Sequence, residues 1–295
     1  MNRLTDLRTA IADNTVPGGS AFGRAAAEVI LLTVTNDPQL VGARLAETLT
    51  ATTNWLVATK PSMTSVRTVA DLAISSAKTN GRGGVLAAMK AFIAESEAAI
   101  ASIANHAEKF IPSGSTVLFH SYSGSLIQIL RRAAEVNSDL TYLFTESRPY
   151  RESRRVVAAL ESLPIDFVSY SDAAVAIAAA RADFAIVGAD ALFADGSFAN
   201  KTGTLPLALA CRYVGIPLYV VTELSKLYIG PSSDVEMEQR PPEEMHEGWD
   251  LAVSSRVEVV NQFFELTPAD LVTAYLTDQG VLAPSDLSNY PAVGG

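Results

Sequence analysis

Five short runs rich in β-branched and aromatic residues punctuate the second half of the chain: "STVLFH" (115–120), "LTYLFT" (140–145), "IDFVSY" (165–170), "ADFAIVG" (182–188) and "IPLYVV" (216–221). Helix-length amphipathic stretches separate them. A run of that length between turn residues reads as a strand, and a helical crossover returns the chain so that the next strand lies parallel to the last. The alternation predicts an α/β fold over 112–295, a mostly parallel sheet with flanking helices. In such sheets ligands sit beyond the carboxyl ends of the strands. The candidate loops are therefore "HSYSGS", "TESRPY", "SYSDAA", "GADALFADGSFANKTGT" and "TELSKL".

Residues 1–111 read differently, as helices alone. In "GGVLAAMKAFIAESEAAIASIANHAEKFIP", Leu86, Met89, Ile93, Ile100, Ile103 and Phe110 recur at helical steps, until Pro112 and Gly114 stop the pattern. Shorter helices are expected near 2–13, 20–32, 37–58 and 64–78, with "NGRGG" as a linker before the long stripe. Two domains follow, 1–111 and 112–295. The stretch "NQFFELTPADLVTAYLTDQGVLAPSDL" reads as one capped helix, with Thr267 as N-cap, Pro268 at the first position and Asp270 in the first turn.

Charge and cysteine content narrow the function classes. A formal charge of −10 over 295 residues opposes a broad nucleic-acid footprint, which needs clustered Lys and Arg. Cys211 is the single cysteine, so no intrachain disulfide or multi-thiolate metal site is expected, and the three histidines are scattered. The N-terminus "MNRLTDLRTAIADN" lacks a signal-peptide core, and no apolar run reaches membrane-spanning length, which points to the cytoplasm. "NGRGG" joins two helices rather than a strand and a helix, so it fits neither a dinucleotide fingerprint nor a P-loop. No cofactor or metal is expected.

The stretch "VGADALFADGSFANKTGT" (187–204) carries the strongest chemical signal. Asp190 falls just past a strand end, Asp195-Gly196 is a turn pair, and Thr204 is placed to cap the next helix. Asn200, Lys201 and a free helix N-terminus together suit anion capture, although a polar loop with an ordinary cap needs the same residues. In "HSYSGS", Ser121 and Ser123 are suited to hydrogen-bonding a phosphate or sugar, and a small-residue turn is the plainer reading. A Ser121–His120 dyad is disfavoured because strand neighbours point to opposite faces. In "TESRPY", Arg148 can fork onto an anion or pair with Glu146. Lys226 can reach the same ligand edge or stand in solvent, and Cys211 reads as a buried, inert thiol.

Taken together, "VGADALFADGSFANKTGT", "TESRP", "ELSKLYIGP" and "FELTPADLVTAYLTDQGVLAPSDL" resemble one superfamily. It unites the alpha, beta and delta subunits of eukaryotic initiation factor two-B with methylthioribose-1-phosphate isomerase and ribose-1,5-bisphosphate isomerase. The resemblance covers about 115–288, and "VPGGSAFGRAAA", with Gly18 and Gly19, looks like the isomerases' V-R-G-A-x-x-I-G-x-A-A-A segment. It implies a helical N-terminal domain, a Rossmann-like C-terminal domain, a homodimer or higher assembly, and a pocket for a phosphorylated sugar or nucleoside monophosphate. In the isomerases a cysteine and an aspartate form the acid–base pair. The aspartate matches Asp190, and substrate contacts match Asn200, Lys201 and Lys226.

Departures from the isomerase pattern are as specific. Ser121 stands where the isomerases have cysteine, Pro17 replaces the arginine of V-R-G-A, and Val66 falls on the arginine of S-R-P-T-A. The regulatory subunits of the translation factor also lack the cysteine, with H-A-Y-S where this chain has "HSYS". Two functions are thus implied: a sugar-phosphate aldose–ketose isomerase using Asp190 with Ser121, and a non-catalytic regulatory subunit that keeps the pocket.

Overall fold

The computed structural model describes residues 2–245 and 256–290. Helices α1 (Arg3–Ala12), α2 (Gly19–Asn36), α3 (Gly42–Thr59), α4 (Thr64–Ala104) and α5 (Ala107–Phe110) form the N-terminal part. The Asn2 side chain accepts a hydrogen bond from the Leu4 amide and so caps α1. The expected linker "NGRGG" is instead a kink within α4: Gly81, at φ 58° and ψ −149°, leaves helical geometry while the helix carries on beyond it. Ala26, Val29, Ile30 and Val34 of α2 pack with Val66, Val69, Val85, Met89 and Phe92 of α4 in one core. Phe263 and Phe264, from far downstream, complete that core.

The remainder alternates as the sequence predicts: β1 (Thr116–His120), α6 (Gly124–Val136), β2 (Thr141–Thr145), α7 (Ser153–Leu160), β3 (Asp166–Tyr170), α8 (Val175–Ala179) and β4 (Phe184–Val187). Then come β5 (Ala191–Phe193), β6 (Phe198–Lys201), α9 (Thr204–Val214), β7 (Leu218–Val221), β8 (Leu227–Tyr228), β9 (Phe264–Thr267), β10 (Ala274–Thr277) and β11 (Gly280–Leu282). A seven-stranded sheet runs β11-β10-β7-β4-β1-β2-β3. Its neighbours are parallel except for the antiparallel edge pair β10–β11. This is an α/β, Rossmann-like sheet with flanking helices. Residues Phe184–Val187 of β4 are buried one after another, as expected of a strand covered on both faces.

Two expectations are corrected. The long loop of "GADALFADGSFANKTGT" contains the β5–β6 hairpin, turned at Asp195-Gly196, and this pairs with β8 and β9 in a four-stranded second sheet. The C-terminal stretch is not one capped helix. Phe264–Thr267 pairs with β6, Pro268 opens a 3-10 turn at Ala269–Leu271, and Ala274–Thr277 joins the large sheet beside β7. Helix-start chemistry at Thr267-Pro268 loses here to strand pairing, because Tyr275 and Leu276 are both fully buried between layers. Cys211 is buried in α9, and burial pushes its thiol up to about 12, consistent with an inert side chain. Among the described residues no helix is long and apolar enough to cross a membrane.

One hydrogen bond ties the two sheets: Tyr275 Oη, on buried β10, donates to the Gly196 carbonyl at the β5–β6 turn over 2.8 Å. Removing the hydroxyl strands that carbonyl without a partner. Tyr275→Phe is expected to lower stability by about 1–2 kcal/mol, read from urea denaturation with an unchanged m value.

Candidate active site

The chain leaves β1 toward β2 and β3 on one side, and β4, β7 and β10 lie on the other. That reversal of direction is where open parallel sheets bind ligands. Because His120 pairs with Val187, the loops after β1 and β4 emerge side by side. Gly188 permits their contact, since a Cβ there would lie 2.5 Å from Ser123 Cβ. A cavity of about 320 Å³ opens above them. Gly18, Ser121, Glu152, Asp190 and Lys201 line it, with Asp13, Tyr150, Arg155, Arg240, Phe263 and Phe264 around the rest.

Asp190 faces this cavity from the end of β4. Gly19, the first residue of α2, lies so close that a Cβ would stand 2.6 Å from Asp190 Oδ1, so only glycine fits. Burial raises the Asp190 carboxyl to about 6. The charges of Lys226 and Lys201 oppose the rise, and those of Glu152 and Glu238 add to it. A carboxyl tuned to that value can both take and return a proton near neutral pH.

On the other side of the cavity, Ser121 sits at φ 66°, in the left-handed region. Its amide donates to Ser153 Oγ, and its hydroxyl donates to Glu152 Oε2 over 3.0 Å. The same Glu152 oxygen lies 2.8 Å from Lys201 Nζ. Burial lowers the pKa of Lys201, while Glu152 and Asp190 favour its charged form. His120 takes no part in this arrangement. Its Nε2 faces the Thr202 carbonyl at 3.0 Å and its Nδ1 faces Thr145 Oγ1 at 2.5 Å. A carbonyl can only accept, so Nε2 carries the hydrogen and the Thr145 hydroxyl donates to Nδ1. Burial lowers the His120 pKa, keeping the ring neutral.

The anion grip read from "NKTGT" is arranged otherwise. Glu265 of β9 occupies the N-terminus of α9, its Oε1 accepting from the amides of Gly203 (2.7 Å) and Leu205 (2.8 Å). Gly203 is the N-cap residue, not Thr204, whose hydroxyl donates to the Lys201 carbonyl. Asn200 is buried and donates to Thr204 Oγ1, and Lys201 is paired with Glu152. Ser123 caps α6 by accepting from the Leu126 amide. Lys226 is buried behind Asp190, donating to the Ala189 carbonyl at 2.7 Å rather than standing in solvent. The Arg148 amide donates to Asp172, and Glu146 meets Arg151 at 3.8 Å. Of the residues singled out in the sequence, Gly18, Ser121, Asp190 and Lys201 line the cavity directly.

Comparison with known proteins decides the family. The model of the Initiation factor 2 subunit family matches residues 15–284. The chain belongs to that family. A putative translation initiation factor eIF-2B subunit 2-like protein of Pyrococcus furiosus is 31% identical over 91% of this chain and 92% of its own length. Methylthioribose-1-phosphate isomerase of Heliobacterium modesticaldum is 30% identical over 71% of this chain, which spans 65% of that relative. The crystal structure of the Pyrococcus horikoshii OT3 translation initiation factor eIF-2B superposes with a TM-score of 0.83 at 28% identity, covering 96% of this chain and 98% of that one. This member of the initiation factor 2 subunit family thus has both isomerases and translation factors among its relatives.

Glu152, Arg155 and Arg240 are among the cavity residues that escaped the sequence reading. Glu152 is the N-cap of α7 and Arg155 lies in its first turn, just beyond "TESRPY", and both were legible only as part of the charged string "RESRR". Arg240 comes from a segment without regular structure, where it bonds Glu244 and the Tyr150 hydroxyl. The spacing of Arg240 and Glu244 was the available signal.

The raised Asp190 pKa makes a stability prediction. The folded carboxyl binds its proton more readily than the unfolded one at 3.8, so between about pH 4 and 6 the native state holds more protons and stability falls as pH rises. Asp190→Asn removes that penalty. In this family member the variant is expected to exceed wild type by about 3 kcal/mol at pH 7.5, with the gap closing near pH 4 in denaturant titrations.

Proposed function

We propose that the protein binds a phosphorylated sugar in the Asp190 cavity and interconverts an aldose 1-phosphate with its ketose. This resembles ribose-1,5-bisphosphate isomerase, with Ser121 at the position of the thiol. The observation that carries the reading is Asp190 itself, a carboxyl raised to about 6 inside a cavity that Arg155 and Arg240 also line. Asp190 removes the proton from C2 of the sugar. The C2–H electron pair becomes a C1=C2 bond as the bond from C1 to the ring oxygen breaks, and that oxygen takes a proton from solvent. Asp190 then returns its proton to C1 while the C2 hydroxyl loses its own and becomes the ketone. Guanidinium groups and the amides at the start of α2, left open by Gly18 and Gly19, suit the phosphate. Asn200, Ser123, Arg148 and Lys226 support the site from outside the cavity lining in this reading.

Two supports favour a second reading, a non-catalytic regulatory subunit with the same pocket as a sensor for a sugar phosphate or nucleoside monophosphate. Ser121 lacks a thiol's acidity, and the superposed Pyrococcus horikoshii structure is a translation initiation factor. Both readings take the protein as a cytoplasmic homodimer or larger homo-oligomer without direct nucleic-acid contact, in keeping with its charge of −10.

Thermal shift against ribose 1,5-bisphosphate, other sugar 1-phosphates and nucleoside monophosphates tests the pocket. At about 100 times Kd a bound ligand adds roughly 2.7 kcal/mol, a rise of several degrees in Tm. Turnover of a bound sugar phosphate, falling at least about 100-fold in Asp190→Asn, supports the isomerase. Binding without turnover supports the regulatory subunit, and no shift with any of these ligands rejects the pocket.

A further inference from the structure

We infer that Glu152, acting through Ser121, is the acceptor for the hydroxyl proton that the isomerisation must remove. The inference rests on the isomerase reading above and adds the group that reading leaves unnamed. Asp190 can carry the proton between C2 and C1, but the C2 hydroxyl proton needs a second acceptor in the same cavity. A serine hydroxyl cannot ionise near neutral pH without a base. The base beside Ser121 is Glu152, whose Oε2 accepts from Ser121 Oγ at 3.0 Å, and both residues line the cavity with Asp190.

The step balances. As the C2 hydroxyl O–H bond breaks, its proton passes to Ser121 Oγ, and the former Ser121 hydroxyl proton passes to Glu152 Oε2. The pair left on the sugar oxygen forms the C2=O bond while C1 takes its proton from Asp190. Glu152 then releases its proton to solvent, matching the one taken up by the ring oxygen. Lys201, 2.8 Å from the same Glu152 oxygen, fixes the carboxylate in place beside Ser121. Ser121 is the group that touches the substrate, and Glu152 acts through it. The two carboxylates sense one another, since the Glu152 charge contributes to the raised Asp190 pKa.

Neutral Gln at 152 keeps an acceptor for Ser121 and cannot take a proton, while Ser121→Ala removes the hydroxyl and leaves the Glu152–Lys201 pair whole. Each variant is expected to lose about 100-fold in kcat with KM within threefold of wild type, and the double variant to lose no more than the weaker single one. Ser121→Cys placed in the Glu152→Gln protein is expected to regain at least tenfold in kcat, because a thiol can ionise for itself. A purely structural role for Glu152 beside Lys201 would not be relieved by that cysteine. Wild-type kcat in both Glu152→Gln and Ser121→Ala overturns the relay and leaves the isomerase reading standing. A wild-type protein that binds a sugar phosphate without turning it over overturns both.

Discussion

The pairing of β1 with β4 sets where the cavity opens. With His120 opposite Val187, the next residues on each strand must leave the sheet together, so Ser121 and Asp190 come to one opening. Two glycines make the approach sterically possible, Gly188 against Ser123 and Gly19 against the Asp190 carboxylate. The second of these brings the start of α2, and with it the N-terminal helical core, against the sheet's ligand edge. Helical layer and sheet are therefore joined at the site itself.

Charge balance is the second constraint. Asp190, Glu152 and Asp13 share a small cavity with Lys201, Arg155 and Arg240. Asp13 and Arg155 reach solvent, whereas an unpaired charge on buried Lys201 would be costly to hold away from water. Lys201 is satisfied by Glu152, Arg240 by Glu244, and Lys226 by the Ala189 carbonyl. The Asp190 carboxyl is raised by its burial, against the opposing charges of Lys226 and Lys201. A group kept in such a state adds reactivity and subtracts stability, as functional sites commonly do.

Five parallel strands and the helical character of the first 111 residues were legible because each depends on a local pattern, alternation or helical spacing. β5, β6 and β9 were not, since they lie in stretches whose local residues read as a loop or a helix start and take strand form through hairpin and distant pairing. Thr267-Pro268 shows the same conflict, a local helix-start signal overruled by distant pairing. Within the site, Asp190 and Ser121 could be found by their positions at strand ends. Glu152 could not, because its partners Ser121 and Lys201 lie about 30 and 50 positions away and no spacing rule links them. The anion grip of "NKTGT" was read with the right physics and the wrong anion. The helix N-terminus does hold a carboxylate, that of Glu265.

That carboxylate has a consequence for the order in which the molecule is completed. Glu265 reaches Gly203 across 62 residues, and its neighbours Phe263 and Phe264 both form a wall of the cavity and close the core of α2 and α4. A nascent chain that has released residues up to α9 thus carries an uncapped helix, an open cavity wall and an unfinished helical core. All three are resolved when Phe263 and the strand β9 arrive and pair with β6, so the site is completed by that later segment and by neither part of the fold alone.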